Sequence, residues 1–355
     1  NAQVQAFTAG DPDWTLERAR AADRAQAAPL RGIPFAVKDV VDTRHLLTAY
    51  GSPIYAGHRP AVDAACVARV KEFGGVILGK VATSEFATQS PSQTRNPLNL
   101  AHTPVGSAAA VADFMAPVAF GTQTTASTVR PASYCGIVGF KPTFGFINAA
   151  GVKPLSPSQD TVSILTRTVE DAALCGFGLH GVRVQSSPLE RPRLAVCLSS
   201  QWDAVHPEMA QAIDALAAAA ERAGAQVRRI RLSAEMEALI PLQARLFAFE
   251  ARQSLADERQ HHAGQFSPRL QARLASGEGI DGAEYLAMPQ HALAARHAMG
   301  ALFQDVDALL YPPAQGEADE GIAEYNTKKI NALWSLMHVP CVSVPIAKGP
   351  RGLPM

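Results

Sequence analysis

The first third of the chain alternates short apolar runs with a segment of helical spacing. Residues 31–39 are mostly apolar and end in charge, which predicts a strand. Residues 63–73 carry apolar side chains at helical spacing and are followed by a Gly-Gly pair, which predicts a helix and its end. The same pattern predicts a buried strand at 76–78, a helix rich in small residues at 106–115 and a strand at 117–120.

The second half of the chain contains a strand–helix–strand pattern. Residues 194–198 predict a strand, residues 207–224 an amphipathic helix and residues 227–232 a second strand, which together favour parallel pairing. Residues 234–272 are predominantly helical in pattern, and two more core strands are predicted at 307–311 and 339–344. No internal repeat or low-complexity linker interrupts these elements. We therefore predict a single α/β domain over 1–355, with a mixed, mostly parallel central sheet flanked by helices.

Composition excludes several classes of protein. The 355 residues are 47% apolar and 18% charged, which favours a packed core over disorder. Lys plus Arg equals Asp plus Glu at 32 each, so no basic excess indicates nucleic-acid binding, and no apolar run approaches a membrane span. The five cysteines are scattered and form no CxxC pair, so neither a zinc site nor a disulfide framework is indicated. A reduced, cytoplasmic compartment is the expectation.

One segment concentrates hydroxyl groups. Residues 121–136 read GTQTTASTVRPASYCG, with five Thr or Ser hydroxyls between Thr122 and Thr128. Such side chains compete for backbone hydrogen bonds in a helix, and no Asn-Gly or Asp-Gly turn supports a hairpin. The segment is therefore interpreted as a loop that presents hydroxyl and backbone N–H groups to a small ligand.

Three other motifs have structural interpretations that we favour. Residues 74–80 fit most of the phosphate-loop pattern, but Val81 stands where Ser or Thr would bind magnesium, so a helix end followed by a strand is the better interpretation. Cys135 has no His nearby in sequence to activate it, which favours a buried structural cysteine. The His residues show no metal-binding spacing, and no G-x-S-x-G elbow occurs.

Two residues are candidates for chemistry. Lys38 ends an apolar strand, so it is either an exposed lysine paired with Asp39 or Asp42, or a buried lysine whose neutral form can act as a base. Ser127 is either a turn residue or a nucleophile. In the second case, the backbone N–H groups before it would hold the negative charge that develops on a carbonyl oxygen under attack.

The chain resembles the amidase signature family. The resemblance covers residues 31–171 densely and rests on these stretches: Gly32-Ile-Pro-Phe-Ala-Val-Lys-Asp39, Gly79-Lys80, Ser84-Glu-Phe-Ala87, Arg95-Asn-Pro97, Gly106-Ser-Ala-Ala-Ala-Val-Ala112, Gly121-Thr-Gln-Thr-Thr-Ala-Ser127, Arg130-Pro-Ala132, Cys135-Gly-Ile-Val-Gly-Phe-Lys-Pro-Thr143 and Thr168-Val-Glu-Asp171.

The family uses a Ser–Ser–Lys triad to hydrolyse carboxylic amides through an acyl-enzyme. The resemblance implies that Ser127 is the nucleophile and Lys38 the base, with the backbone amides of Thr124, Thr125, Ala126 and Ser127 as the oxyanion hole. It implies a small-molecule amide substrate and neither a metal nor an organic cofactor. Homodimer formation stays open. Two alternatives also remain: a glutamine amidase that resembles the A subunit of an amidotransferase and works with partner subunits, and a catalytically inactive binding protein.

The sequence departs from the family pattern at two places. Thr125 and Ala126 stand where the family often has Gly-Gly, which would narrow the loop and restrict the acyl group. The bridging Ser has no match, because the chain reads Thr-Pro-Val-Gly-Ser at 103–107 and four residues of the pattern are missing. Ser107 matches a later, non-catalytic Ser, and Thr103 offers a nearby hydroxyl. We expect the native chain to carry a loop between residues 104 and 105 and to extend further at both ends.

Overall fold

The computed structural model describes residues 1–25, 27–88, 92–102, 106–184, 187, 189–321 and 330–355. Within these residues the strands are β1 Phe7–Ala9, β2 Pro34–Lys38, β3 Val76–Val81, β4 Val118–Gln123, β5 Val138–Lys141, β6 Thr161–Thr166, β7 Arg193–Leu198, β8 Gln226–Arg231, β9 Ala308–Leu310 and β10 Cys341–Ser343. The α-helices are α1 Pro12–Arg24, α2 Ala65–Glu72, α3 Gly106–Ala112, α4 Val129–Cys135, α5 Val169–Gly178, α6 Pro207–Arg222, α7 Ala234–Ser254, α8 Ala256–His262, α9 Pro268–Ala275, α10 Gly282–Leu302 and α11 Ala332–Leu336.

A large sheet and a small sheet organise these elements. The large sheet has the strand order β1-β3-β2-β4-β6-β5-β10, and the small sheet has the order β8-β7-β9. Strand β2 pairs in parallel with both β3 and β4, and the small sheet is parallel throughout, as the strand–helix–strand pattern predicted. The α/β class, with a mixed sheet flanked by helices, is confirmed.

The large sheet contains more antiparallel pairing than the sequence pattern suggested. Strands β1, β5 and β6 were not predicted, and each is antiparallel to its neighbours. Every antiparallel pairing between the strands above involves one of these three. The predicted strands in 31–39, 76–78 and 117–120 and the predicted helices at 63–73 and 106–115 are all present, with ends shifted by a few residues.

Alternation along the central strands buries both faces of the large sheet. Phe35 and Phe120 lie in the apolar cluster on one face, while Ala36 and Ala119 lie in the cluster on the other. The small side chains of the second face allow α3 to pack closely, which is the packing its composition predicted. Gly106 begins this helix where a Cβ atom would lie 2.5 Å from the carbonyl oxygen of Ala82, so only glycine fits.

The small sheet packs on helices from the C-terminal half. A third apolar cluster joins it to α7, α10 and α11, with Trp334 and Met299 among its buried members. Helix α11 thereby lies between the small sheet and the loop that follows β4, since its Ser335 also contacts that loop. None of the helices in the described ranges is long and apolar enough to cross a membrane.

Candidate active site

The structure places Lys38 in the interior, at the end of β2. Its side chain is 2% exposed. The Nζ atom donates a hydrogen bond to Thr122 Oγ1 at 2.7 Å. Burial lowers the pKa of Lys38 to about 8, against the opposing effect of the Asp160 carboxylate. The structure therefore matches the interpretation of Lys38 as a buried lysine.

The alternative of an exposed lysine paired with a carboxylate does not describe Lys38. The lysine beside Asp39 is Lys80, whose Nζ lies 4.0 Å from Asp39 Oδ1. Lys80 is also fully buried and donates a hydrogen bond to the carbonyl of Val41. Residues 76–80 belong to β3 and follow the end of α2. This matches the structural interpretation of the glycine motif as a helix end followed by a strand.

The hydroxyl-rich segment is partly strand and partly loop. Strand β4 continues to Gln123, three residues beyond the predicted end, and α4 begins at Val129. Parallel register aligns Val37 of β2 with Phe120 of β4, which brings Lys38 beside the start of the segment. The sheet therefore brings the predicted base next to the strand that leads to Ser127.

The loop between β4 and α4 carries four consecutive backbone N–H groups that have no acceptor among the described residues. In the part of the chain that the structure describes, the amides of residues 124–127 donate no hydrogen bond. Thr124, Thr125 and Ala126 are nevertheless buried, and Ser127 is half-buried. Buried backbone amides are almost always paired, so four unpaired donors in one loop indicate a site for an electron-rich atom. The Ser127 hydroxyl likewise has no partner among the described residues.

Asp160 is a site residue that the sequence analysis missed. Its carboxylate accepts hydrogen bonds from the Thr124 hydroxyl and from the backbone amides of Leu155 and Ser156, the latter two at 2.8 and 2.9 Å. Burial raises the pKa of Asp160 to about 6. Asp160 thus fixes the Thr124 side chain through a hydrogen bond, and its negative charge favours the protonated form of Lys38. No local pattern marks it, because it lies 36 residues along the chain from the hydroxyl that it holds.

A second carboxylate supports the segment that contains Asp160. Glu250 of α7 is buried and accepts a hydrogen bond from Ser156 Oγ at 2.5 Å and from Ser158 Oγ at 3.0 Å. His338 Nε2 lies 2.8 Å from the carbonyl oxygen of Ser158. Contacts from Glu250 and His338 therefore fix residues 156–158, which lie next to the Asp160 that binds the Thr124 hydroxyl.

The remaining candidates have structural environments. Ser107 on α3 is buried and donates to the Phe120 carbonyl at 2.8 Å, which agrees with its non-catalytic match. Cys135 is buried in α4, and burial raises the pKa of its thiol to about 12, so a thiolate nucleophile is disfavoured. Thr103 and the junction of residues 104 and 105 lie outside the described residues. No group of three metal-binding side chains occurs in the described ranges.

Comparison with known proteins identifies the family. The family model described as Amidase matches residues 1–355. The A subunit of the glutamyl-tRNA(Gln) amidotransferase of Roseiflexus castenholzii is 43% identical over 186 residues, which are 48% of this chain and 38% of that protein. The chain therefore spans well under two thirds of the length of that curated relative.

Solved structures agree with this assignment over nearly the whole chain. A crystal structure of an amidase superimposes with a TM-score of 0.88 at 26% identity, covering 99% of this chain and 87% of that one. Native peptide amidase from Stenotrophomonas maltophilia superimposes with a TM-score of 0.82 at 27% identity, covering 99% and 84%. On the family match, the sequence motifs and the shared fold, the chain belongs to the amidase signature family.

Proposed function

We propose that this protein hydrolyses a carboxylic amide through an acyl-enzyme on Ser127. The observation that carries the proposal is the row of backbone amides at residues 124–127, which have no partner in the described ranges and which end at the serine itself. A tetrahedral intermediate places a negative charge on the former carbonyl oxygen, and preorganised N–H donors stabilise that charge. Thr124, Thr125 and Ala126, together with Ser127, supply these donors.

Lys38 is the proposed base. With a pKa of about 8, roughly a tenth of this lysine is neutral at pH 7, far more than for a solvent-exposed lysine. Neutral Lys38 accepts the proton of Ser127 through an intervening hydroxyl, and the serine oxygen forms a bond to the amide carbon. The carbon–nitrogen bond then breaks as the proton passes to the leaving amine or ammonia. Water attacks the acyl-enzyme and releases the acid.

Glutamine is the first amide to test. The curated relatives at about 40% identity are named as the A subunit of glutamyl-tRNA(Gln) amidotransferase, which motivates the alternative of a glutamine amidase that works with partner subunits. The solved relatives instead include a peptide amidase. Ammonia release from glutamine by the chain alone, compared with release from short aliphatic and peptide amides, separates the two. Activity that appears only with added partner subunits favours the amidotransferase.

Covalent labelling tests the proposal independently of substrate. A fluorophosphonate probe is expected to modify Ser127, and peptide mapping locates the adduct. The Ser127→Ala variant should lose the adduct, whereas Ser107→Ala should keep it because that hydroxyl only donates to a strand carbonyl. The same map reads the peptide that joins residues 104 and 105. A folded protein that is neither labelled at Ser127 nor active on any amide contradicts the proposal and leaves an inactive binding protein.

A further inference from the structure

A buried glutamine joins the two ends of the hydroxyl loop. Gln123 is fully buried at the end of β4, and its Oε1 accepts the backbone amides of Thr128 and Val129 at 3.1 and 3.2 Å. Since only the oxygen of a side-chain amide can accept two N–H donors, the orientation of this amide is determined. Its nitrogen must then face the other way, and it donates to Ser335 Oγ of α11 at 3.2 Å.

Ser335 connects Gln123 to the middle of the loop through a hydrogen bond of its own. The serine hydroxyl is fully buried and lies 3.4 Å from the carbonyl oxygen of Thr125. A hydroxyl has one hydrogen, and Gln123 already donates to its oxygen, so that hydrogen goes to the Thr125 carbonyl. Two contacts of fixed polarity therefore connect the end of β4 to the middle of the loop through a helix more than 200 residues away in sequence.

The contact at Thr125 controls the direction of an N–H group. The carbonyl of Thr125 and the N–H of Ala126 belong to one planar peptide unit, in which they point in opposite directions when the bond is trans. No cis peptide bond is present in the described residues. Holding the Thr125 carbonyl toward α11 therefore turns the Ala126 N–H away from α11. That N–H is one of the four donors of the loop that have no acceptor in the part of the chain that the structure describes.

We propose that Ser335, oriented by Gln123, is a positioning residue that aims the Ala126 amide at the oxyanion. The inference rests on the proposed function, since it assigns a role within the same acyl-transfer site. Ser335 lies on α11, outside residues 31–171, so the family motifs in that range do not indicate this role. Ser335 touches no reacting atom; it acts through the Thr125–Ala126 peptide.

The test compares transition-state stabilisation with ground-state binding. In Ser335→Ala, kcat/KM for the best amide found is expected to fall about five- to tenfold, the equivalent of one hydrogen bond. The inhibition constant of a matching alkyl boronic acid, which forms a tetrahedral adduct on the nucleophilic serine, should rise by the same factor. Inhibition by the carboxylate product should weaken by a smaller factor, since a planar carboxylate makes less use of the oxyanion donors than the tetrahedral adduct does.

Two sets of variants control for simple structural damage. Ser133→Ala on α4 removes another buried serine hydroxyl, one that has no hydrogen-bond partner in the described part of the chain, and should leave kcat/KM unchanged. Ser335→Thr should restore activity relative to the isosteric Ser335→Val, and this pair gives the same comparison if Ser335→Ala fails to fold.

Each remaining outcome counts against one proposal or both. Unchanged boronate inhibition in Ser335→Ala overturns the positioning role while leaving the amidase proposal intact. Equal weakening of boronate and carboxylate binding also overturns it, because it indicates a distorted pocket. A wild-type protein that is neither labelled nor active removes both proposals together.

Discussion

Replacing Lys38 with methionine should stabilise the protein at neutral pH while it abolishes activity. Burial lowers the pKa of Lys38 from 10.5 to about 8, so the folded state binds this proton more weakly than the unfolded chain does. At 1.36 kcal/mol for each tenfold change, that difference costs the folded state about 3 kcal/mol below pH 8. Lys38→Met removes the cost, because methionine has a similar length and no charge.

Part of this gain is offset by the partner that the lysine leaves behind. Thr122 Oγ1 loses the hydrogen bond that it accepts from Lys38, worth about 1 kcal/mol. The net expectation is a gain of about 2 kcal/mol in the free energy of unfolding at pH 7. Above pH 8 the folded-state lysine is neutral, and by about pH 10.5 the unfolded-state lysine is neutral as well, so the advantage of the variant disappears over this range.

Urea unfolding of both proteins at pH 7 and at about pH 10 measures the effect. Lys80→Met is the informative contrast, since Lys80 is equally buried and its pKa is also lowered to about 8, but Asp39 lies 4.0 Å from it. Removing Lys80 also takes away the cation beside Asp39 and the donor to the Val41 carbonyl, so the gain in stability should be smaller than in Lys38→Met. The reasoning is refuted if Lys38→Met is less stable than wild type at pH 7, or if its stability relative to wild type does not change with pH.

Two further predictions concern pH dependence and a buried ion pair. The acid limb of the pH profile of kcat/KM should follow an apparent pKa near 8. Asp160→Asn should move that limb to lower pH, because it removes a negative charge that favours the Lys38 ammonium. A limb that stays in place or moves to higher pH contradicts this expectation. Lys153→Met should lower the free energy of unfolding by about 3 kcal/mol, since it leaves the buried Glu258 carboxylate without its cation, although the hydrogen bond from the Tyr55 hydroxyl remains. Removing the exposed ion-pairing cation in Arg229→Met should cost under about 0.5 kcal/mol. Equal losses in the two variants, measured by urea unfolding, would count against this second expectation.

The sequence suggested the parts of the candidate site that depend on neighbouring residues. An apolar strand that ends in lysine and a loop too rich in hydroxyls for a helix are both visible within ten residues. Lys38 and Ser127 followed from these patterns and from the family motifs that contain them. The βαβ unit at 194–232 was also predicted, because an apolar run, an amphipathic helical pattern and a second strand-like segment follow one another there.

The parts that escaped prediction depend on contacts between distant segments. Strand β5 is short and β6 is buried along its whole length, so neither shows an alternation of apolar and polar residues. Because they pair antiparallel, the large sheet contains fewer parallel pairs than the sequence pattern suggested. Asp160 and Ser335 stand in segments with no motif of their own, and only the fold brings them to the loop. The bridging Ser stays a prediction, because no residue of this sequence matches it and the junction of residues 104 and 105 lies outside the described residues.

The loop at the candidate site cannot hold its own shape, and this explains where its supports come from. In the described part of the chain its four N–H groups donate no hydrogen bond, so they contribute nothing to holding the loop backbone in place. Support must come from side chains that contact its other atoms: Gln123 at its ends, Ser335 at the Thr125 carbonyl and Asp160 at the Thr124 hydroxyl. These three groups lie on a strand, a helix and a connecting segment, so a displacement of one element leaves two contacts in place. Rigid support of this kind is what catalysis by preorganised donors requires, because donors that must reorient during the reaction stabilise the transition state less.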